Sequence, residues 1–203
     1  MIILKEENIV LATNNLDKVR EINQLLHDST YRIIPQSKFN VVEVEETGST
    51  FIENALIKAR NAAKYTNIPV IADDSGIEVV ALDGRPGIFS ARYAGAGATD
   101  EDNLKKLIKD IKQINEKNRY AKFICAMVYI TNSDDQKPII VEGVWEGYVI
   151  TKPRGTNGFG YDPIFYIPEY KCTSAELDNE EKNKLSHRGQ ALRKLIEKLN
   201  KVK

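Results

Sequence analysis

The chain has no excess of either charge: Lys plus Arg and Asp plus Glu both number 29 among its 203 residues. Such a balance supplies no bulk field for a nucleic-acid backbone or an anionic membrane, so neither is an expected partner, although a local basic site is compatible with it. Long apolar runs are missing too, and none approaches the roughly 20 residues that a bilayer span requires. Met1-Ile2-Ile3-Leu4 runs straight into Lys5-Glu6-Glu7 without a cationic start or a small-residue cleavage site, and a cytoplasmic protein is expected. Cysteine is scarce. Cys125 sits in an apolar run and Cys172 in a polar loop, with neither the paired spacing of zinc sites nor the density of a disulfide scaffold, so both read as reduced thiols. Internal repeats, low-complexity linkers and a strong domain boundary are also absent. With 42% hydrophobic residues, the expectation is a single α/β domain over residues 1–203 that folds alone.

Periodicity then organises the chain. Asn8 to Ala12 reads as a first strand, and from Asn15 the positions Val19, Ile22, Leu25 and Leu26 share one helical face. A second helix opens at Thr50, where Thr50-Phe51-Ile52-Glu53 has capping-box form, and Ile52, Ala55, Leu56, Ala59, Ala62 and Ala63 make its apolar stripe. Pro69-Val70-Ile71-Ala72 is too short and apolar for a helix and reads as a buried strand stopping at Asp73 and Asp74. A Gly- and Pro-rich loop at 83–98 leads to a third helix from about Asp100, with Leu104, Leu107, Ile108, Ile111 and Ile114 facing inward. Two long strands over 120–131 and 138–150 flank a turn at Asn132 to Lys137, which makes them antiparallel neighbours. A short strand at Ile164 to Ile167 and a final helix from about Ser186 to Asn200 complete the chain. The predicted fold is α/β, with a mixed, partly antiparallel sheet flanked by helices and two lobes around a central active-site groove.

The acidic pair is the most informative motif. Neighbouring carboxylates repel unless a cation or a proton intervenes, so Asp73-Asp74 at a strand end suggests a hard divalent metal, and magnesium commonly serves phosphate chemistry. Asp-Asp-Ser-Gly is equally a turn former, through side-chain bonds to nearby backbone. Glu43, Glu45 and Glu46 precede the second helix, and either one of them meets Asp74 or the three form a solvated acidic edge. Lys58, opposite that helix's apolar stripe beside Asn54 and Asn61, either reaches the same phosphates or faces water, the simpler reading. Ala12 to Lys18 sets a hydroxyl, two amides and a lysine at a helix start, which attracts phosphate oxygens or merely caps the helix. It lacks the glycine frame of a P-loop. Between Arg154 and Pro163, three glycines bare the backbone around Phe159, suiting a stacked flat ring such as a nucleobase, or a turn with an aromatic plug. Glu181 to Gly189 then places cations and donors at a helix start, where they oppose the helix dipole. His187 and Arg188 are able to donate to a carbonyl of a base edge, and Lys182 to balance phosphate or brace the base.

In register, six segments from Ile9 to about Leu199 resemble the inosine triphosphatase, or Ham1-like, family of purine nucleoside triphosphate pyrophosphatases. They are Val10-Leu11-Ala12-Thr13-x-Asn15-x-x-Lys18, Glu45-Glu46-Thr47-Gly48-x-x-Phe51-x-Glu53-Asn54-Ala55, Ala72-Asp73-Asp74-Ser75-Gly76, Pro86 to Tyr93, Gly158 to Phe165 and Lys182-x-x-x-Ser186-His187-Arg188. The resemblance implies cleavage of dITP, ITP and XTP between the α and β phosphates with Mg2+, in a homodimer that keeps deaminated purines out of DNA and RNA. It assigns Thr13, Asn14, Asn15, Leu16, Asp17 and Lys18 to the triphosphate, Glu45 and Asp74 to the metal, and Asp74 also as the base toward water. Ser75 falls to substrate, and Phe159, Gly160, Tyr161, Asp162, Lys182, His187 and Arg188 to base and sugar. Asn14 departs from the family, which usually has glycine there. Donors aimed at O6 would select a 6-keto purine over adenine, whose amino group would set donor against donor. A regulatory nucleotide-binding module would use the same ring and phosphate contacts but leave Asp74 idle, and a Maf-like hydrolase of other nucleotides would share the chemistry.

Overall fold

The computed structural model describes residues 7–26 and 29–202. The chain runs through β1 (Glu7–Leu11), α1 (Leu16–Leu25), β2 (Tyr31–Pro35), α2 (Phe51–Thr66) and β3 (Val70–Val79). It continues through α3 (Asp100–Ile111), β4 (Tyr120–Ile130), β5 (Ile139–Val149), β6 (Phe165–Ile167), β7 (Cys172–Thr173), α4 (Asn179–Leu185) and α5 (His187–Val202). All seven strands join one sheet in the order β2-β1-β3-β4-β5-β6-β7. Helices α1 and α2 act as crossovers, so β1 lies parallel to both β2 and β3, whereas β6 is antiparallel to β5 and β7. The sheet is therefore mixed, as the sequence implies.

Two compact units share these elements. One draws on residues 1–74, 126–142 and 191–203, the other on 75–125 and 143–190. The first has a core of Val10 from β1 and Ala12 just beyond it, Val70 and Ala72 from β3, Val128 and Ile130 from β4, and the alanine stripe of α2. Small side chains on that stripe let the helix backbone lie close to the strands. The second core is bulkier, with Ile77, Val79, Leu107, Ile111, Phe123, Trp145, Ile164 and Phe165. β3 passes from one unit to the other between Asp74 and Ser75.

Local chemistry sets the helix starts. Asn15 caps α1 by accepting from the Asp17 and Lys18 N–H groups at 2.9 and 3.1 Å, and Thr99 and Asp102 form a reciprocal capping box on α3. At α2, Thr50 accepts from the Glu53 N–H as expected, but the Glu53 carboxylate reaches back to the N–H and hydroxyl of Ser49. The strand expected to stop at the acidic pair instead continues to Val79. Gly76 allows this: a Cβ there would lie 2.4 Å from both the Gly87 carbonyl and the Ser90 hydroxyl, and the same hydroxyl accepts from the Ile77 N–H. The basic segment expected at one helix start is divided between two helices, with Ser186 extended between α4 and α5.

Candidate active site

Because β3 runs through the acidic pair, strand alternation sends Asp73 and Asp74 to opposite sides. Each meets its own lysine. Lys18, on the first turn of α1, places Nζ 2.9 Å from Asp73 Oδ2. Asp74 meets α2, where Asn54 Nδ2 donates to Oδ2 at 3.1 Å and Lys58 Nζ lies 3.5 Å from Oδ1. Asn54 and Lys58 are four residues apart and so stack on one helical face. Lys58 does not face water: its ammonium is 2.7 Å from Glu46 Oε1, in the loop ahead of α2, and its side chain is only 17% exposed. The periodicity located the apolar stripe correctly, but the acidic loop covers the opposite face.

The electrostatics follow from that geometry. Burial pushes the Asp74 carboxyl above its ordinary range, with Glu46 adding to the rise, and Lys58, Lys18 and the Asn54 hydrogen bond offset it only in part. For Lys58, burial alone would lower the ammonium, but Asp74, Asp73 and Glu46 together outweigh it and hold it above its usual value. The result is a basic carboxylate held against a firmly charged cation.

Glu46, rather than Glu45, stands in this cluster, while Glu45 is exposed. In the turn at Thr13 to Lys18, the Thr13 hydroxyl accepts from the Asn15 N–H, Leu16 is exposed and Asp17 pairs with Arg20. Asn14 is not in the left-handed region. Its side chain donates to Glu43 at 2.6 Å and accepts from Gln36 at 2.9 Å, tying the turn to the acidic loop.

A second cluster forms around Phe159. Asp162 accepts from the Phe159 N–H at 2.9 Å, from Lys182 Nζ at 2.7 Å and from the Ser174 hydroxyl at 2.8 Å. Lys182, Arg188 and Asp162 are all buried, and the two cations lie 5.1 and 5.6 Å from the Phe159 ring centre. Gly158 makes the approach possible, since at φ 75° a Cβ would sit 2.1 Å from Asp162 Oδ2. Gly160 donates its N–H to Asp100, and the Tyr161 hydroxyl donates to the Ser90 carbonyl. Arg188 donates to the Ser75 hydroxyl at 2.9 Å. His187 stacks on Phe123, ring centres 4.7 Å apart and planes 8° from parallel, and Phe123 in turn packs on Phe165, which meets Trp145.

The model of the Ham1 family matches residues 9–198, nearly the whole chain. The chain belongs to the Ham1 family. A dITP/XTP pyrophosphatase of Thioalkalivibrio sulfidiphilus is 56% identical over 191 residues, 94% of this chain and 97% of the relative. One of Vibrio cholerae is 55% identical over 190 residues, covering 94% and 95%. Among solved structures, a Ham1 protein from Coxiella burnetii superposes with a TM-score of 0.89 at 50% identity, over 96% of this chain and 99% of that one. Ham1 membership accounts for the order of the motifs. Glu46, Asn54 and Lys58 stand in or beside the motifs already named, but Ser174 and Phe123 carry no such signal and become visible only when the chain folds Asp162 and His187 against them. The i,i+4 spacing of Asn54 and Lys58 was the available signal.

Proposed function

We propose that this protein is a nucleoside-triphosphate pyrophosphatase that hydrolyses dITP, ITP and XTP to the monophosphate and pyrophosphate, removing deaminated purines from the nucleotide pool. The observation that carries the reading is the buried Asp74, set among Asn54, Lys58 and Glu46. The names of relatives matched nearly end to end support the substrate class.

Asp74 is the proposed general base. A carboxylate raised by burial accepts a proton more readily near neutral pH than an ordinary one, so it suits withdrawal of a proton from water attacking the α phosphorus. Water's oxygen bonds to that phosphorus, the bond to the bridging oxygen breaks, and the electron pair leaves on pyrophosphate. Lys18 and Lys58 offset charge on the phosphate oxygens, and Thr13 to Asp17 orient them. Phe159 stacks on the base, Gly160 to Asp162 and Lys182 enclose base and sugar, Ser75 contacts substrate, and His187 and Arg188 donate to O6.

The residues present fit magnesium. Asp74 and Glu46 offer hard oxygen donors where a cation, the Lys58 ammonium, already lies against both carboxylates. Magnesium bound by one or two carboxylates takes its remaining ligands from water and substrate phosphates. When bound, Mg2+ would supply charge neutralisation on the phosphates and polarise the attacked phosphorus. Asp74 would hold it together with a carboxylate of the Glu45-Glu46 pair, Glu46 being the one already turned toward Asp74. We further propose a cytoplasmic homodimer, on the strength of the family resemblance.

The test is a substrate panel of dITP, ITP, XTP, dATP, dGTP and dTTP with and without Mg2+, quantifying pyrophosphate and monophosphate. Magnesium-dependent release of both products from the 6-keto purines, with at least tenfold preference in kcat/KM over dATP and dTTP, is expected. Release of single phosphates, or equal turnover of pyrimidine nucleotides, would refute it.

A further inference from the structure

We propose that Asn54 is a positioning residue for hydrolysis, holding the Asp74 carboxylate and the acidic loop in one arrangement through the two ends of its carboxamide. The inference rests on the phosphohydrolase reading above and goes beyond it in assigning a role to a residue that acts through the Asp74 carboxylate rather than on the substrate.

Asn54 is fully buried on α2, on a helix whose other buried residues are Phe51 and four alanines. A polar amide in such a place is costly unless both its functions are met. Here they are met by two different segments. Nδ2 donates to Asp74 Oδ2 at 3.1 Å, and Oδ1 accepts from the Gly48 N–H at 2.8 Å. Gly48 is held so closely that a Cβ there would lie 2.7 Å from that same Oδ1 and 2.7 Å from Glu53 Cβ. One helical turn further, Lys58 joins Glu46 to Asp74. The acidic loop is thus pinned to α2 at two successive rungs, Gly48 on Asn54 and Glu46 on Lys58, and each rung also reaches Asp74.

The chemistry of the amide makes the position demanding. Aspartate preserves the shape and the acceptor toward Gly48 but sets carboxylate against carboxylate at Asp74. Serine is too short to span both partners. Leucine fills the space and makes neither bond. A residue that only stabilised the fold would tolerate at least one of these once melting temperature was matched. A residue that fixes two carboxylates relative to one another tolerates none.

The experiment compares wild type with Asn54→Asp, Asn54→Ser and Gly48→Ala by kcat and KM for dITP, by thermal melting, and by paramagnetic-resonance titration of Mn2+ in the presence of an α,β-methylene inosine triphosphate that resists cleavage. Partners that orient metal ligands usually contribute about 10- to 100-fold to affinity or activity. Asn54→Asp and Gly48→Ala are expected to lose about tenfold or more in kcat with KM changed less than about threefold, and to weaken Mn2+ binding about tenfold. Wild-type kcat and Mn2+ affinity in folded Asn54→Asp would overturn the proposal. So would losses in all three variants that vanish once corrected for the folded fraction. A wild-type protein that neither cleaves dITP nor takes up Mn2+ would remove the parent reading and this one with it, and that outcome differs from the others in failing before any substitution is made.

Discussion

Replacing Lys58 with methionine keeps an unbranched chain one atom shorter and deletes its charge, leaving Asp74 and Glu46 facing each other without their shared cation. Removing one partner from a fully buried ion pair costs about 3–5 kcal/mol. Lys58 is 17% exposed and Glu46 25% exposed, so water reaches part of the cluster and a loss of about 2 kcal/mol is expected. For a chain of 203 residues, where 1 kcal/mol shifts the midpoint by about 2–4 °C, that is a fall of about 4–8 °C. The pH dependence carries the stronger test. Burial already raises the Asp74 carboxyl, and Lys58 is the largest influence opposing the rise, so the variant's carboxyl moves further up. A group with a raised folded-state value binds its proton in the native state first, and its contribution to stability is complete below the unfolded value and lost as pH rises through the folded one. The deficit of Lys58→Met is therefore largest at pH 7.5 and shrinks toward pH 5. Paired melts of wild type and variant in chelator at both values measure it, and Mg2+ at pH 7.5 should restore part of the difference by binding the native state alone. A variant that melts with wild type at pH 7.5, or whose deficit grows on acidification, would refute the reasoning.

Asp74→Asn should lower kcat by about 10²- to 10⁴-fold while leaving the circular dichroism spectrum unchanged, and turnover within threefold of wild type would end the general-base assignment. Glu46→Gln should raise the Mg2+ concentration for half-maximal rate at least about tenfold whereas Glu45→Gln shifts it less than about twofold, and the reverse order would exchange the two roles. Gly158→Ala pushes a methyl onto Asp162 at a left-handed position and strains its bond to Lys182, so denaturant unfolding should show a loss of about 2–4 kcal/mol, with KM for dITP raised. Asn14→Gly removes an exposed hydrogen bond to Glu43 and a part-buried one from Gln36, and unfolding should detect a loss of about 1 kcal/mol.

Elements whose burial is periodic were legible in the sequence: β1, α1, α2, α3, β4 and β5 all fall where alternation or helical spacing places them. β2 escaped because Tyr31–Pro35 is a short edge strand with partial burial and no clean alternation. α4 escaped because Asn-Glu-Glu-Lys-Asn-Lys-Leu has no apolar stripe, and its helix is fixed instead by the Asp178 cap and by the burial of Lys182 against Asp162. The acidic pair was legible as a site but not as mid-strand. Asp-Asp-Ser-Gly carries turn chemistry locally, and only the fit of Gly76 under Gly87 and Ser90 keeps it extended. Lys58 shows the same limit from the other side. Spacing reveals which face of a helix is apolar, but what covers the remaining face depends on a loop whose path is set by tertiary bonds such as Asn54 to Gly48 and Asn61 to the Val42 carbonyl.

The stack of His187 on Phe123, and through Phe165 on Trp145, has a consequence for how this enzyme would drift under mutation. The imidazole is one rung of a buried aromatic ladder, so its tilt is dictated by the rings packed against it. On the proposed contact of His187 with the base, a conservative exchange among those rings, silent by any measure of foldedness, is expected to register first as an altered choice between one purine and another.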